Sequence, residues 1–249
     1  MIDPLFLTTA AVSTFDGNKP LTSASGFFFE RNQALFFITS RHVLLDEPSG
    51  HHPSRIEIEL HVDEANLSRS ERLSVLLYQD GKSVWIDGRD SGGSIDVAAI
   101  RLDRQALPKN VALRPFTTSN LVTSFDQVNV GETLLIVGFP LGFHDHLHHL
   151  PVVRHAIVAS SFGMRFQGQG LFLTDARTHR GCSGAPVVVR DLEADESLPW
   201  RLLGIHSSTF DVGNRNLQLD EALGLNCAWY ADILLLLTQG PTEKHPSIA

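Results

Sequence analysis

Short apolar runs cut off by turn residues dominate this chain, and they leave little room for helices. Strand-like runs fall at residues 5–14, 24–30, 34–39, 55–62, 73–78, 83–87 and 97–102. A second series follows at 133–139, 152–160, 170–174, 185–190, 201–207 and 222–229. Asp16-Gly17, Arg31-Asn32, Asp80-Gly81, Ser91-Gly92-Gly93 and Pro140-Leu141-Gly142 separate them at fairly even spacing. Many short strands with regular turns predict an all-β sandwich or barrel. Two helical stretches are expected. One covers a turn or two over 41–46. The other spans 230–239, where Tyr230, Ile233, Leu234 and Leu237 fall at helical spacing before Gly240-Pro241. The runs form two sets of about six, with a mixed connection at 108–127. The expected division is 1–115, 116–240 and a disordered tail at 241–249, polar and with two prolines.

Composition removes several function classes. The chain has 249 residues, of which 43% are hydrophobic and 19% charged, enough to bury a real core. Its formal net charge of −8 argues against a nucleic-acid partner, since phosphate binding needs a basic surface. No apolar stretch reaches the length of a membrane span. Two cysteines cannot build a disulfide scaffold. Met-Ile-Asp-Pro lacks the positive charge of an export signal, so a cytoplasmic location is expected.

Three motifs carry chemistry. In Arg180-Gly181-Cys182-Ser183-Gly184-Ala185-Pro186, glycines flank a serine in a tight turn before an apolar strand. Such a turn exposes a nucleophile and lets backbone N–H groups converge on one oxygen. A serine hydroxyl needs a base, and His42 follows the apolar run Phe36-Phe37-Ile38-Thr39-Ser40-Arg41. A third group should orient the imidazole. Asp96, at the mouth of Val97-Ala98-Ala99-Ile100, would be costly if buried unpaired. Taken singly, each has a plainer account: a core histidine, a strand-edge aspartate, a turn serine.

Taken together and in this order, Thr-Ser-x-His, Asp-Val-Ala-x-Ile and Gly-x-Ser-Gly-x-Pro resemble the chymotrypsin-like (trypsin-fold) serine proteases, in particular their bacterial branch. The spacing agrees, with 54 residues from His42 to Asp96 and 87 from Asp96 to Ser183. Ser25-Gly26-Phe27, Gly138-Phe139-Pro140-Leu141-Gly142, Thr174-Asp175-Ala176 and Leu203-Gly204-Ile205-His206-Ser207 also resemble family segments. The resemblance covers roughly residues 5–238. It implies two six-stranded antiparallel β-barrels around a central cleft, with a short C-terminal helix. It implies a serine endopeptidase without cofactor or metal, acting on protein or peptide. In that mechanism Ser183 attacks, His42 shuttles the proton and Asp96 holds the imidazole. The backbone N–H groups of Gly181 and Ser183 would form the oxyanion hole.

Some residues depart from the family pattern. Cys182 stands where Asp or Asn precedes the serine, and no Ile-Val-Gly-Gly start exists, so zymogen cleavage of that kind is not expected. Register keeps Ser183, not Cys182, at the nucleophile position. Arg177, six residues before Ser183, falls at the base of the primary pocket and would favour an acidic side chain or a C-terminal carboxylate. His206, Ser208 and Thr209 fall on the matching cleft wall. The run His144-Asp145-His146-Leu147-His148-His149 suggests zinc by composition, but it follows a loop, and a solvated loop is the expectation. Two rival readings stand beside this one. A trypsin-fold pseudoprotease, or a latent protease awaiting an activating partner protein, draws support from Cys182, Arg177 and the altered cleft. An α/β-hydrolase is excluded by the His, Asp, Ser order and the missing helices.

Overall fold

The computed structural model describes residues 2–191, 197–209 and 224–239. Its first sheet is built from β1 (Thr9–Asp16), β2 (Lys19–Arg31), β3 (Ala34–Thr39), β4 (Arg55–His61) and β5 (Ser70–Leu76). Two small ribbons follow, β6 (Tyr78–Gln79) with β7 (Lys82–Ser83), and β9 (Arg89–Asp90) with β10 (Gly93–Ser94). Between them lies β8 (Trp85–Ile86), and after them β11 (Ala98–Leu102) and β12 (Phe116–Thr117). The sheet order is β5-β4-β1-β2-β3-β11-β8, with β12 parallel to β2. The turn from β2 to β3 is Asn32-Gln33, both at positive φ (50° and 65°), a conformation whose twist matches a tight hairpin.

The second half is a closed antiparallel barrel. Its strands are β13 (Thr133–Gly138), β14 (Val152–Val158), β15 (Leu171–Ala176), β16 (Pro186–Arg190), β17 (Trp200–Thr209) and β18 (Leu225–Tyr230), in the order β13-β14-β15-β18-β17-β16. Helix α1 (Arg41–Leu44) follows β3, and α2 (Ile233–Leu237) follows β18.

Strand alternation divides the core into three layers. One face of β2, β3 and β11 supplies Phe28, Leu35, Phe37, Ala98 and Ile100 to the interior of the first sheet. Their neighbours Phe27, Phe29, Phe36, Ile38 and Ala99 point the other way. They meet Leu171, Leu173, Ile205 and Trp229 of the barrel, and Leu234 and Leu237 of α2. Barrel residues Leu134, Ile136, Phe172, Val187 and Ala228 fill the third layer. Six consecutive residues of β2, Ala24 to Phe29, are therefore buried on both faces.

Several segments differ from the sequence expectation. The first sheet was expected to close as its own six-stranded barrel, but its described pairings leave it open between β5 and β8. β5 is a polar edge strand, and β8 is only two residues long. Residues Pro4–Leu7 form a 3-10 turn rather than the start of a strand, because Asp3 Oδ1 accepts from Leu5 N at 3.0 Å and Pro4 leads the turn. Helix α1 stops at Leu44, since Asp46 instead forms a bridge with His51. Helix α2 is shorter than 230–239 because Tyr230 ends β18. The expected tail 241–249 lies outside the described residues, as does the start of the 222–229 run.

Candidate active site

Pairing of β3 with β11 sets Ala98 opposite Thr39. The residues just beyond that register, Asp96 and His42, therefore meet at the end of both strands. His42 sits in the first turn of α1, and its backbone N–H donates to Asp96 Oδ1 at 2.8 Å. Its ring Nδ1 lies 2.7 Å from Asp96 Oδ2. With that nitrogen donating, Nε2 is left as the acceptor for the Ser183 hydroxyl, 2.9 Å away. Ser183 Oγ also lies 3.0 Å from the carbonyl of Ser207. The three candidates picked from distant parts of the chain thus form one connected row.

The loop carrying Ser183 depends on its glycines. Gly184 has φ +84°, and a Cβ there would sit 2.3 Å from the Ser25 carbonyl oxygen and 2.4 Å from Thr39 Oγ1. Any side chain would force the loop off β2 and β3. Gly181, at φ +95°, is packed as tightly against the Phe139 carbonyl. The Arg180 carbonyl accepts from Leu141 N, which turns the 180–181 peptide so that its oxygen is held by that loop. Among the described residues the N–H groups of Gly181 and Ser183 have no acceptor.

Four supporting residues were not singled out by sequence. Ser207 donates from Oγ to Asp96 Oδ2, so the carboxylate accepts three hydrogen bonds. Ser25, wholly buried, donates to the Gly181 carbonyl at 2.7 Å and accepts from Phe139 N at 3.0 Å. Its own N–H donates to the Ser183 carbonyl at 2.9 Å. Ser40 Oγ donates to the His206 carbonyl at 3.3 Å. Asp46 adds a second negative charge near His42. Ser25, Ser40 and Ser207 lie within segments that resemble the family, but a serine beside an apolar strand shows no signal until its partner is known.

Burial alone would depress the His42 pKa. The hydrogen bond and charge of Asp96, with the charge of Asp46, outweigh it and hold His42 above the ordinary histidine value. His206 goes the other way. Burial, and then the nearby His42, push it down to about 4. It is 2% exposed, and its Nδ1 has no hydrogen-bond partner among the described residues. Burial likewise raises the Cys182 thiol, which with Cys227 is a free, buried cysteine.

Of the residues expected to shape the pocket, His206, Ser208 and Thr209 lie on β17, and Arg177 directly follows β15. His206 lies on β17 opposite Ala228, inside the barrel wall. Ser208 and Arg177 are exposed, and the Arg177 carbonyl accepts from Arg154 Nε at 2.9 Å. Thr209 pairs with Asn226 through its backbone, while its side chain lies outside the description. A cavity of about 820 Å³ opens at Ser183, Gly181 and His42 and runs on to the outer half of β2. In the run 144–149, the ring of His144 lies against those of His146 and His149, and His148 pairs with Asp145 at 2.6 Å. Among the described residues no three metal-ligating side chains are grouped to hold an ion.

A closed β-barrel set against a second sheet, with a histidine, an aspartate and a serine in one hydrogen-bonded row where they meet, is the architecture of a serine hydrolase. The chain belongs to the trypsin-like peptidase domain family, which matches residues 24–194 and so spans His42, Asp96 and Ser183. Among solved structures it is similar to the serine endoprotease from Yersinia pestis, with a TM-score of 0.55 and 16% identity. That match covers 93% of this chain and 61% of the other, so the chain spans less than two thirds of that protein's length. At this identity the likeness concerns the fold. No curated protein matches the chain.

Proposed function

We propose that this protein is a serine endopeptidase that works through His42, Asp96 and Ser183 and passes through an acyl-enzyme. The observation that carries the proposal is the unbroken hydrogen-bond row from Asp96 Oδ2 through His42 to Ser183 Oγ, at 2.7 and 2.9 Å. Ser183 Oγ attacks the scissile carbonyl while its proton passes to His42 Nε2. Asp96 keeps the other ring nitrogen protonated and stabilises the imidazolium. His42 then gives the proton to the leaving amine. Water repeats the sequence on the acyl-enzyme. The unengaged amides of Gly181 and Ser183 are the donors for the oxyanion, each contributing about 3 kcal/mol in the transition state. The Ser207 carbonyl, 3.0 Å from Ser183 Oγ, favours a second reading, since it competes for the hydroxyl proton in the resting enzyme. In that reading the protein is latent or a pseudoprotease, and a partner protein shifts the balance.

Fluorophosphonate labelling read by intact mass separates the two. Labelling of the wild type, absent in Ser183→Ala and His42→Ala, supports the endopeptidase. A folded wild type that stays unlabelled supports the latent or binding role.

A further inference from the structure

We propose that this protease selects its substrates by a carboxylate on the leaving-group side of the scissile bond, read by Lys19 and Arg180. The inference rests on the triad assignment above. In that mechanism His42 Nε2 returns its proton to the leaving amine, so the leaving segment lies on the open side of His42. The cavity of about 820 Å³ runs there. Ser183, Gly181 and His42 line it together with Lys19, Leu141 and Arg180. Among the described residues no part of β17 lines this cavity.

The charges in this cavity do not balance internally. Lys19 and Arg180 are both exposed, and neither has a carboxylate partner among the described residues. Many other arginines do pair, including Arg41 with Asp87, Arg104 with Glu30 and Arg165 with Asp90. The one carboxylate lining the cavity, Asp46, accepts from Ser49 Oγ and raises the pKa of His42. So two cations face the leaving segment in a chain whose net charge is −8. Neither is on a loose support. The Arg180 carbonyl is tied to Leu141 N, and Lys19 is fixed in the β1–β2 hairpin opposite Asp16. Pro20, Leu21, Val43 and Leu141 supply the apolar walls between them. A peptide that places an acidic side chain, or its own C-terminal carboxylate, a few residues past the scissile bond fits this arrangement. Both sources present the same chemistry.

The experiment uses internally quenched peptides with one fixed acyl side. Glu, Gln or Lys is placed at each of the first three leaving-side positions, and every peptide is made with a free or an amidated C-terminus. The wild type should prefer Glu to Lys in kcat/KM by about tenfold, and the preference should shrink in high salt. Lys19→Glu and Arg180→Glu should each cut that ratio about fivefold, and the double variant should invert it. A ratio that holds in amidated peptides assigns the side-chain source. A preference confined to free C-termini assigns the terminal carboxylate. A leaving side without preference, or a ratio unmoved in the double variant, overturns the proposal. Fluorophosphonate carries no leaving peptide, so labelling separates the two levels. A labelled wild type with no preference refutes only the selection, and an unlabelled one refutes the triad assignment with it.

Discussion

Leucine in place of His206 should make the protein markedly less sensitive to acid. His206 is held on β17 by three backbone contacts. Its N–H donates to the Ala185 carbonyl at 2.9 Å, and its carbonyl accepts from Gly184 N and Ser40 Oγ. The ring itself is buried, with Nδ1 unpartnered among the described residues and its pKa down at about 4. Above the ordinary value near 6.5 the imidazole is neutral in both folded and unfolded chains and has no effect on pH dependence. As pH falls below 6.5 the unfolded chain takes up a proton that the folded protein refuses until about 4. Stability is therefore lost across that window, by about 3 kcal/mol at roughly 1.4 kcal/mol per pH step. His42 acts with the opposite sign, because its folded pKa is raised: its contribution is complete below 6.5 and lost as pH rises through the folded value. It is present in both proteins, so it cancels to first order in the comparison. Urea unfolding from pH 7.5 to 4, in a Ser183→Ala background that cannot digest itself, measures the difference. The two stability curves should separate by about 3 kcal/mol at pH 4 relative to pH 7.5. Parallel curves would show that the buried imidazole finds a proton-accepting environment in solution and would refute the reasoning.

Three further perturbations address the site directly. Asp96→Asn should lower kcat by about 10⁴ and move the acid limb of kcat/KM to lower pH, since burial of His42 is then opposed only by the charge of Asp46; a full pH–rate profile checks both. Ser207→Ala removes one of the three donors to Asp96 and should reduce kcat/KM about tenfold with KM nearly constant, which steady-state kinetics will show. Ser25→Ala leaves the Gly181 carbonyl and Phe139 N–H unpaired, at about 1–3 kcal/mol each. It should lower the melting temperature by roughly 5–10 °C and slow fluorophosphonate labelling. Unchanged calorimetry would mean that water replaces the hydroxyl.

The parts legible in the sequence were those with strong local signals. Ala34–Thr39 was placed to the residue, because an apolar β-run is stopped by Ser40 and the following helical turn. The second series of strands is legible to within a few residues, and motif order alone singles out His42, Asp96 and Ser183. Long-range and capping effects were harder to read. The Asp3 side chain converts an apolar run into a 3-10 turn. Phe116–Thr117 joins the first sheet only because β2 lies beside it, a pairing of two residues with no periodicity. Closure of a sheet depends on what its edge strands meet, and alternation within β5 or β8 does not encode that. The pocket was the least legible part. The cavity at the triad is walled by the β1–β2 hairpin and the 46–51 connection, whose polar composition resembles any surface loop.

Ser25 has a consequence for synthesis of the chain. It lies on a strand completed early in translation, yet it grips the Ser183 and Gly181 carbonyls, the latter 156 residues further on. The loop that bears the nucleophile is shaped against β2 and β3, and β3 also leads into His42. Neither half, made alone, holds a formed site. The ribosome-bound first sheet lacks the serine, and a lone barrel lacks both the base and the surface that moulds its loop. Such long-range contacts form late in folding. On the proposed triad, the emerging chain therefore holds no assembled site until the whole domain has been released and closed.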